Sequence, residues 1–344
     1  MATADVTIRG AGVFGLSVAY ACARRGAAVQ VIDPHGPAAG ASGGVVGALA
    51  PHVPEQWNDK KAFQLESLLM AAGFWADVTA LSGLDPGYAR SGRVQPLADA
   101  EAAGLARRRV VGAADLWRGE ASWEVTEDSG GWRVESPTGL FVRDTLSARI
   151  HPRQATLALA GAVTALGGRI CREGADRGKV VWATGWQGLM ALSDELGRVA
   201  GNGVKGQAAV LRHAACHLPQ VFVDGIHVVP HGDGTVAVGS TSEREFDRPD
   251  TVDEQLDVIL KHVRAAVPEL ADAEVLGRWA GVRPRARSRA PILGGWPGRT
   301  GHFIANGGFK IGFGMAPLVG EVMADLVFEG RDRIPAPFRV SASL

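Results

Sequence analysis

Val6-Thr7-Ile8-Arg9-Gly10-Ala11-Gly12-Val13-Phe14-Gly15 is the stretch whose reading decides the fold. An alternating apolar run ends in G-x-G-x-x-G, a helical pattern follows from Leu16 to Arg25, and Gly26 stops it. A second apolar run, Ala28-Val29-Gln30-Val31-Ile32, closes on Asp33. The order is strand, tight turn, helix, strand, acid. Gly10 permits the turn, Gly12 lets backbone approach a pyrophosphate, and Gly15 lets the helix pack close to the strand. The N-terminus of that helix offers free N–H groups and partial positive charge to phosphates. Asp33, 18 residues past Gly15, stands where an acid bonds a ribose hydroxyl. The stretch reads as a dinucleotide site, against the plainer alternative of a structural glycine turn.

Working outward, the small-residue loop from Pro34 to Gly44 leads into Val45-Val46-Gly47-Ala48-Leu49-Ala50-Pro51-His52. Such a loop lets backbone lie flat against a planar ligand. Residues 59–82 show helical spacing of Phe63, Leu65, Leu68, Leu69, Phe74, Trp75 and Val78. Near Tyr88 the pattern turns antiparallel. Strands are expected at Gly92 to Leu97, Trp123 to Val125 and Trp132 to Glu135, with a short helix at 99–109. After His151-Pro152 the first pattern returns, with a helix at Ala155 to Leu166 and a buried strand, Val180-Val181-Trp182-Ala183-Thr184-Gly185. From Lys205 strands resume at 207–211, 221–223, 226–229 and 235–238, the last two as a hairpin, followed by a helix at 251–267. The chain then gives a strand, Phe303-Ile304-Ala305-Asn306, a glycine turn from Gly307 to Gly314, and a helix from Ala316 to Phe328 with Pro317 in its first turn.

The expected fold class is therefore α/β. A Rossmann-type binding domain is built from three discontinuous segments, 1–87, 146–204 and 276–344. A second, α+β substrate domain with a mainly antiparallel sheet takes 88–145 and 205–275. A simple nicotinamide dehydrogenase keeps its binding domain in one block, so this interruption is informative.

With Lys+Arg and Asp+Glu at 36 each, the chain is neutral, which argues against nucleic acid or an anionic membrane as partner. Arg107-Arg108-Arg109 reads as a solvated helix face. No apolar run approaches the ~20 residues of a membrane span, and the glycine spacing of Ala11 to Ala23 argues against a signal peptide. Three scattered cysteines, Cys22, Cys171 and Cys216, give neither a disulfide framework nor metal-ligand spacing, and fit a reducing cytoplasm. No metal is expected.

Taken together, seven stretches resemble the FAD-dependent oxidases of the D-amino-acid oxidase and glycine oxidase superfamily, which also holds sarcosine oxidase. They are Gly10 to Gly15 with Asp33; Ala41-Ser42 to Ala50-Pro51; Ala183-Thr184-Gly185; Lys205-Gly206-Gln207; Val229-Pro230 with Gly239-Ser240-Thr241; Trp279-Ala280-Gly281-Val282-Arg283-Pro284; and Gly307-Gly308-Phe309-Lys310 to Ala316-Pro317. They run from residue 6 to about 328 in the family's order. The resemblance implies FAD stretched across the first domain, its ring facing the antiparallel domain. Gly10, Gly12, Val13, Phe14 and Gly15 would meet the pyrophosphate and Asp33 the ribose. Ala41, Ser42, Gly47, Ala48 and Leu49 would lie along the pyrophosphate and flavin, with Ala183, Thr184 and Gly185 beside them. Gly308, Phe309, Lys310, Ile311 and Gly312 would wrap the pyrimidine end. The helix starting near Ala316 would aim its positive end at the flavin's N1–O2 edge.

For the substrate, the family places an arginine at Arg283, where a guanidinium grips a carboxylate through two parallel hydrogen bonds. Lys310 matches the Gly-Phe-Lys form of sarcosine oxidases and is expected to hold a carboxylate or assist oxygen activation; the plain alternative is a solvated turn lysine. His227 stands where relatives carry a substrate-facing tyrosine; the bland alternative is a structural histidine. His52 and His231 are weaker candidates. Two departures stand out. The stretch from Gly168 to Val180 is short, so the adenine side must be completed differently. No cysteine lies near residues 285–310, which implies non-covalent FAD. The expected activity is oxidation of a small amino acid or secondary amine. Hydride passes from the α-carbon to flavin N5, giving an imine, and electrons pass to O2, giving hydrogen peroxide. The alternatives are a dehydrogenase with a non-oxygen acceptor, a tRNA wobble-uridine-modifying flavin oxidase, and a flavin-binding protein without turnover. Assembly into a homo-oligomer is left open.

Overall fold

The apolar run that opens the chain becomes β1 (Val6–Arg9), buried on both faces near the middle of a parallel sheet. The computed structural model describes residues 4–344. Around β1 stand β2 (Val29–Ile32), β8 (Arg169–Cys171), β9 (Lys179–Trp182), β15 (Ile292–Gly295) and β16 (His302–Asn306), in the order β15-β16-β9-β1-β2-β8. All neighbours are parallel except the β15–β16 hairpin. One sheet thus draws its strands from residues 6–32, 169–182 and 292–306, three sequence-distant pieces.

Helices cover both of its faces. On one side α1 (Val13–Arg24), α2 (Asp59–Ser82), α4 (Pro152–Ala165) and α7 (Gly312–Val327) bury Ile8, Val31, Leu16, Trp75, Leu159 and Met323 in a single apolar cluster. The approach of α1 to α7 is close: a Cβ on Gly320 would come within 2.7 Å of the Ser17 carbonyl oxygen. On the other side α5 (Gly185–Leu196) packs Leu189 and Leu192 against Ile304. α2 is held at its start by Asn58, whose side chain accepts from Lys61 N–H at 3.2 Å, and stops at Gly83 in the left-handed region.

The second sheet has eight strands: β4 (Arg93–Pro96), β5 (Trp123–Thr126), β6 (Phe141–Asp144), β10 (Gly201–Arg212), β11 (Gln220–Val223), β12 (Ile226–Pro230), β13 (Thr235–Gly239) and β14 (Val275–Ala286). Their order is β14-β10-β13-β12-β11-β4-β6-β5, antiparallel throughout except β11 beside β4. α6 (Glu254–Ala266) packs Leu256, Leu260 and Val263 on one face of it, and α3 (Ala100–Trp117) lies near β5. The short strands β3 (Ala48–Leu49) and β7 (Ala148–Arg149) pair between the two sheets.

Four details differ from expectation. β10 and β14 pair along their whole length, Gly201 opposite Ala286, so residues 201–204 and 276–286 belong to the eight-stranded sheet. Trp132 to Glu135 forms no strand; instead Trp132 is buried and donates its Nε1–H to the Pro219 carbonyl at 2.9 Å. α3 runs on to Trp117, with Arg107 and Arg108 exposed and Arg109 paired to Glu55 at 2.5 Å. α7 starts at Gly312, so Pro317 sits inside the helix and the positive end lies closer to the glycine turn. No helix among the described residues is long and apolar enough to cross a membrane.

Candidate active site

The glycines at the end of β1 are fixed by backbone, not by side chains. A Cβ on Gly10 would lie 2.3 Å from the Ala183 carbonyl oxygen, and one on Gly15 would lie 2.0 Å from the Gly10 carbonyl oxygen. Either contact would separate β1 from the start of α1 or from the end of β9. Val13 and Phe14 form the first turn of α1, which carries no acid. Ala41 and Ser42 lie in a 3-10 turn beside it, where Ser42 Oγ accepts from Val13 N–H at 3.0 Å. Asp33 clamps the same loop: Oδ2 accepts from Ala11 N–H at 2.8 Å, and Oδ1 from His35 N–H at 2.9 Å and Gly36 N–H at 3.2 Å. A carboxylate has about four acceptor sites, so capacity remains for a hydroxyl. A cavity of about 350 Å³ opens there, lined by Asp33, His35, Gly36, Pro37, Ile170, Cys171 and Arg172.

On the neighbouring strands, Thr184 and Gly185 lead from β9 into α5. Asn306 Nδ2 donates to the Gly185 carbonyl at 2.8 Å, tying the ends of β9 and β16 together. Gly47 lies against Ile150, the residue after β7, since a Cβ there would meet the Ile150 carbonyl oxygen at 2.0 Å. Gly308 sits over the Phe14 ring, 2.9 Å from where its Cβ would be, and continues into the 3-10 turn Phe309–Ile311 and Gly312 at the head of α7. These elements form an extended, glycine-floored track along the carboxyl ends of the parallel strands, with two helix N-termini opening onto it. Such a track fits a dinucleotide.

The eight-stranded sheet faces this track with one side. Its register places Trp279, Gly281 and Arg283 of β14 on the same side as Gly206 and Ala208 of β10, Gly239 of β13, His227 of β12 and Phe222 and Gln220 of β11. Val221, Val228, Val236 and Val238 point the other way, onto α6. Gln220 Nε2 reaches from this side to the Ala148 carbonyl at 3.1 Å and joins the two layers.

Arg283 lies flat across Gly206: a Cβ there would be 1.9 Å from the guanidinium Nη2. Nη1 donates to the Thr241 carbonyl at 3.3 Å and Nη2 to Ser240 Oγ. Behind the sheet, Glu243 takes Lys205 at 3.2 Å and Gln207 Nε2 at 3.1 Å, and Thr241 Oγ1 donates to it. No carboxylate among the described residues pairs with Arg283; burial lowers its pKa to about 10, with Glu243 opposing. Lys310 is exposed, at the rim of a second cavity of about 130 Å³ lined also by Ala48, Leu49, Ala50, Gln64, His227, Ile311 and Gly314. Crowding by protein atoms and the charge of Arg283 both lower the pKa of Lys310. His227 packs on Phe222 with ring centroids 4.7 Å apart, and its buried Nδ1 has no protein partner. Burial, then Arg93 and Lys310, push its pKa down to about 3, so the ring is neutral at any ordinary pH.

Lys310 and His227 thus share one cavity. Arg283 stands outside its lining but close enough for its charge to act on Lys310. His52 is turned aside, its ring Nδ1 and backbone N–H both on Gln64 Oε1. His231 bonds the Val45 carbonyl at 3.0 Å and packs on His151. Gln64 was not anticipated. It is 2% exposed, lines the cavity and donates to the Ala50 carbonyl at 3.2 Å. The available signal was an amide between Phe63 and Leu65 on an otherwise apolar helix face.

Comparison with known proteins places this arrangement. A family profile described as FAD dependent oxidoreductase matches residues 5–326. A glycine oxidase of Pseudomonas aeruginosa is 36% identical over 173 residues, covering 48% of this chain and 46% of that enzyme. The chain therefore matches less than half the length of that relative. A glycine oxidase of Geobacillus kaustophilus is 25% identical over 363 residues, 94% of this chain and 92% of that enzyme. The crystal structure of glycine oxidase from Geobacillus kaustophilus superposes with a TM-score of 0.84, covering 98% of each chain at 23% identity. That likeness establishes the fold.

Proposed function

The chain belongs to the FAD-dependent oxidoreductase family, and from that premise we propose that it oxidises the carbon–nitrogen bond of a small amino acid or secondary amine carrying a carboxylate. The observation that carries this reading is Arg283: a guanidinium without a carboxylate partner, held over a bald strand position and turned to the side where the glycine track lies. Bound FAD supplies the electron sink, which no side chain here can provide.

The chain's own residues bind and orient. Arg283 takes the substrate carboxylate in a two-pronged grip, and Ser240 Oγ with the Thr241 carbonyl fix the plane of its fork. Lys310, at the rim, adds a second cationic contact. His227 stays neutral and adds no repulsion to an amine; its unpartnered Nδ1 accepts an N–H from the substrate nitrogen, aligning the α-carbon. Leu49 and Ile311 line the cavity and exclude water from it. The glycine track, with Gly10, Gly12, Gly15 and Gly308, holds the non-covalent cofactor, and Asp33 its ribose. The N-terminus of α7, which opens on the glycine turn, would favour negative charge on a cofactor held there. Molecular oxygen is the proposed acceptor, and the resulting imine hydrolyses in water.

Anaerobic bleaching of the flavin absorbance against a panel of amines, amino acids and hydroxy acids tests the reaction. Amine-driven bleaching with peroxide formed on re-aeration is expected; bleaching by hydroxy acids alone would refute it. Arg283→Ala is expected to keep its flavin and lose about 100- to 1,000-fold in kcat/KM, the size of removing a charge-assisted anchor. An unchanged KM for carboxylated amines would remove the anchor assignment.

A further inference from the structure

Arg283 is steered by the short segment that follows β13, and that segment is itself held from behind the sheet. Glu243 pairs with Lys205 of β10 through backbone in both directions, at 2.9 and 3.0 Å, and Thr241 N–H donates to the Gln207 carbonyl at 3.2 Å. Residues 241–243 thus continue along the edge of β10 that β13 occupies up to Gly239. On this segment sit both groups that the guanidinium donates to, Ser240 Oγ and the Thr241 carbonyl. Where the segment lies therefore decides the plane of the fork.

The side chains behind the segment form one connected network. Lys205 and Gln207 flank Gly206 and point, by alternation, to the face away from Arg283. Glu243 accepts from Lys205 Nζ at 3.2 Å, from Gln207 Nε2 at 3.1 Å and from Thr241 Oγ1. Thr241 Oγ1 in turn accepts from Gln207 N–H at 2.8 Å. Asp253, at the head of α6, accepts from Gln207 Nε2 at 2.7 Å and from Lys205 Nζ at 3.3 Å. The Lys205 and Glu243 side chains are 4% and 5% exposed, and among the described residues only one other ion pair, Arg93–Asp144, has both partners under 10%. Burying such a pair adds little stability, because desolvation offsets the attraction and apolar side chains of similar volume serve a core as well. Apolar side chains would not, however, fix residue 243 opposite 205 and hold the Thr241 hydroxyl between them. Glu243 is also the carboxylate whose charge reaches Arg283, opposing the effect of burial without pairing with it.

We propose that Glu243 is a positioning residue for the substrate anchor: with Lys205, Gln207 and Thr241 it pins residues 240–243 to β10, so that Ser240 and the Thr241 carbonyl hold the Arg283 fork in the plane that receives a carboxylate. This rests on the reading of Arg283 as the anchor and extends it to residues that never touch the substrate. The guanidinium has five N–H donors, and the two spent on Ser240 and Thr241 leave others free for the substrate. A carboxylate placed directly against Arg283 would occupy those donors; one placed behind the sheet orients the fork and leaves them open.

The test is a double-mutant cycle on the holoenzyme, with kcat and KM for N-ethylglycine measured in the wild type, Glu243→Gln, Arg283→Ala and the double variant. A substrate carboxylate keeps its charge through the reaction, so a misaligned anchor weakens substrate and transition state alike and the loss falls on KM. Glu243→Gln is expected to raise KM about tenfold, with kcat within about twofold and flavin content at the wild-type level. In the Arg283→Ala background the same change is expected to move kcat/KM by less than about twofold, because the group it acts through is gone. An equal loss in both backgrounds overturns the inference, since it shows a general structural role; so does an unchanged KM in Glu243→Gln. In either case the anchor reading stands if Arg283→Ala fails as expected. Should Glu243→Gln lose its fold by circular dichroism, Thr241→Val takes its place in the cycle: removing the hydroxyl is expected to raise KM about fivefold, and Thr241→Ser to restore it. No rise in Thr241→Val, or no recovery in Thr241→Ser, overturns the inference. An unchanged KM in Arg283→Ala, or a wild-type flavin that neither N-ethylglycine nor any other carboxylated amine bleaches, overturns the anchor reading and this inference together.

Discussion

The two sheets contribute to the site by opposite means. The six-stranded sheet offers its strand ends, and what it presents there is backbone: glycines pressed against carbonyls, and the N-termini of α1 and α7. The eight-stranded sheet offers a face, and what it presents is side chains: Arg283, His227 and Phe222, with Arg283 lying over Gly206 and Trp279 over Gly281. A backbone-built surface can hold a cofactor that is the same in every turnover, and tolerates almost no change. A side-chain-built surface can be retuned residue by residue, which suits the half that meets the substrate. The same division explains the two kinds of glycine. Those in the first sheet keep backbones in contact; Gly206 in the second keeps a strand out of the way of a guanidinium.

Gly15→Ala tests the backbone half and has the largest expected effect. The new Cβ would lie 2.0 Å from the Gly10 carbonyl oxygen, which belongs to a turn that cannot yield without moving β1 from α1. Overpacking of about 3 kcal/mol or more is expected, so FAD affinity falls by ~100-fold or more and the purified protein is colourless. Absorbance near the flavin maximum relative to protein, with circular dichroism as the folding control, reads the result. A yellow variant at full stoichiometry would break the comparison. Gly206→Ala is the matching change in the other sheet and should be milder. Its Cβ meets the tip of a flexible arginine, 1.9 Å from Nη2, and that tip can swing. Flavin content is expected to stay at the wild-type level, while kcat/KM falls roughly 10- to 100-fold because the anchor is displaced by about an ångström. Loss of flavin in this variant would show that the division between the sheets is false.

The same contrast governs what could be read from the amino-acid order. The glycine track was legible because its parts are local: Gly10, Gly12, Gly15 and Asp33 fall within one βαβ unit, and helix 59–82 matched its observed limits. Ends set by tertiary contact were not. α7 begins at Gly312 because the 3-10 turn Phe309–Ile311 feeds directly into it, and nothing in the local pattern marks that start. Trp132 looks like a strand residue but finds its partner 87 positions away at Pro219, which holds it as a loop. Gln64 lines a cavity whose other walls only folding brings beside it, from Ala48 to Gly314, and the head of its helix is tied down in the same way: Lys60 meets the Arg289 carbonyl across 229 positions. Arg283 could be singled out by its motif, but its geometry, lying across Gly206 between Ser240 and Thr241, belongs to strand register.

His227 gives the smallest predicted effect and the sharpest view of what the side-chain face costs. Its ring is neutral in the folded protein down to about pH 3, because burial and the charges of Arg93 and Lys310 disfavour the imidazolium. Unfolded, a histidine protonates near pH 6.5. Between these values the unfolded chain binds the extra proton, so native stability falls as pH drops from about 6.5 towards 3, and is untouched above 6.5. Allowing for partial exposure, the loss at pH 5 is about 1 kcal/mol. His227→Phe, which keeps a ring against Phe222, removes that dependence. The fall in Tm between pH 7 and pH 5 should therefore be smaller in the variant than in the wild type. A remainder persists from His231, whose pKa burial pushes down to about 4. The pH profile of kcat/KM between 6 and 8 should keep its shape, since a ring already neutral there has no proton to lose. An acid limb that disappears with the imidazole would mean that His227 titrates in the working range, and that the second sheet supplies an acid–base group where the structure gives it only a positioning one.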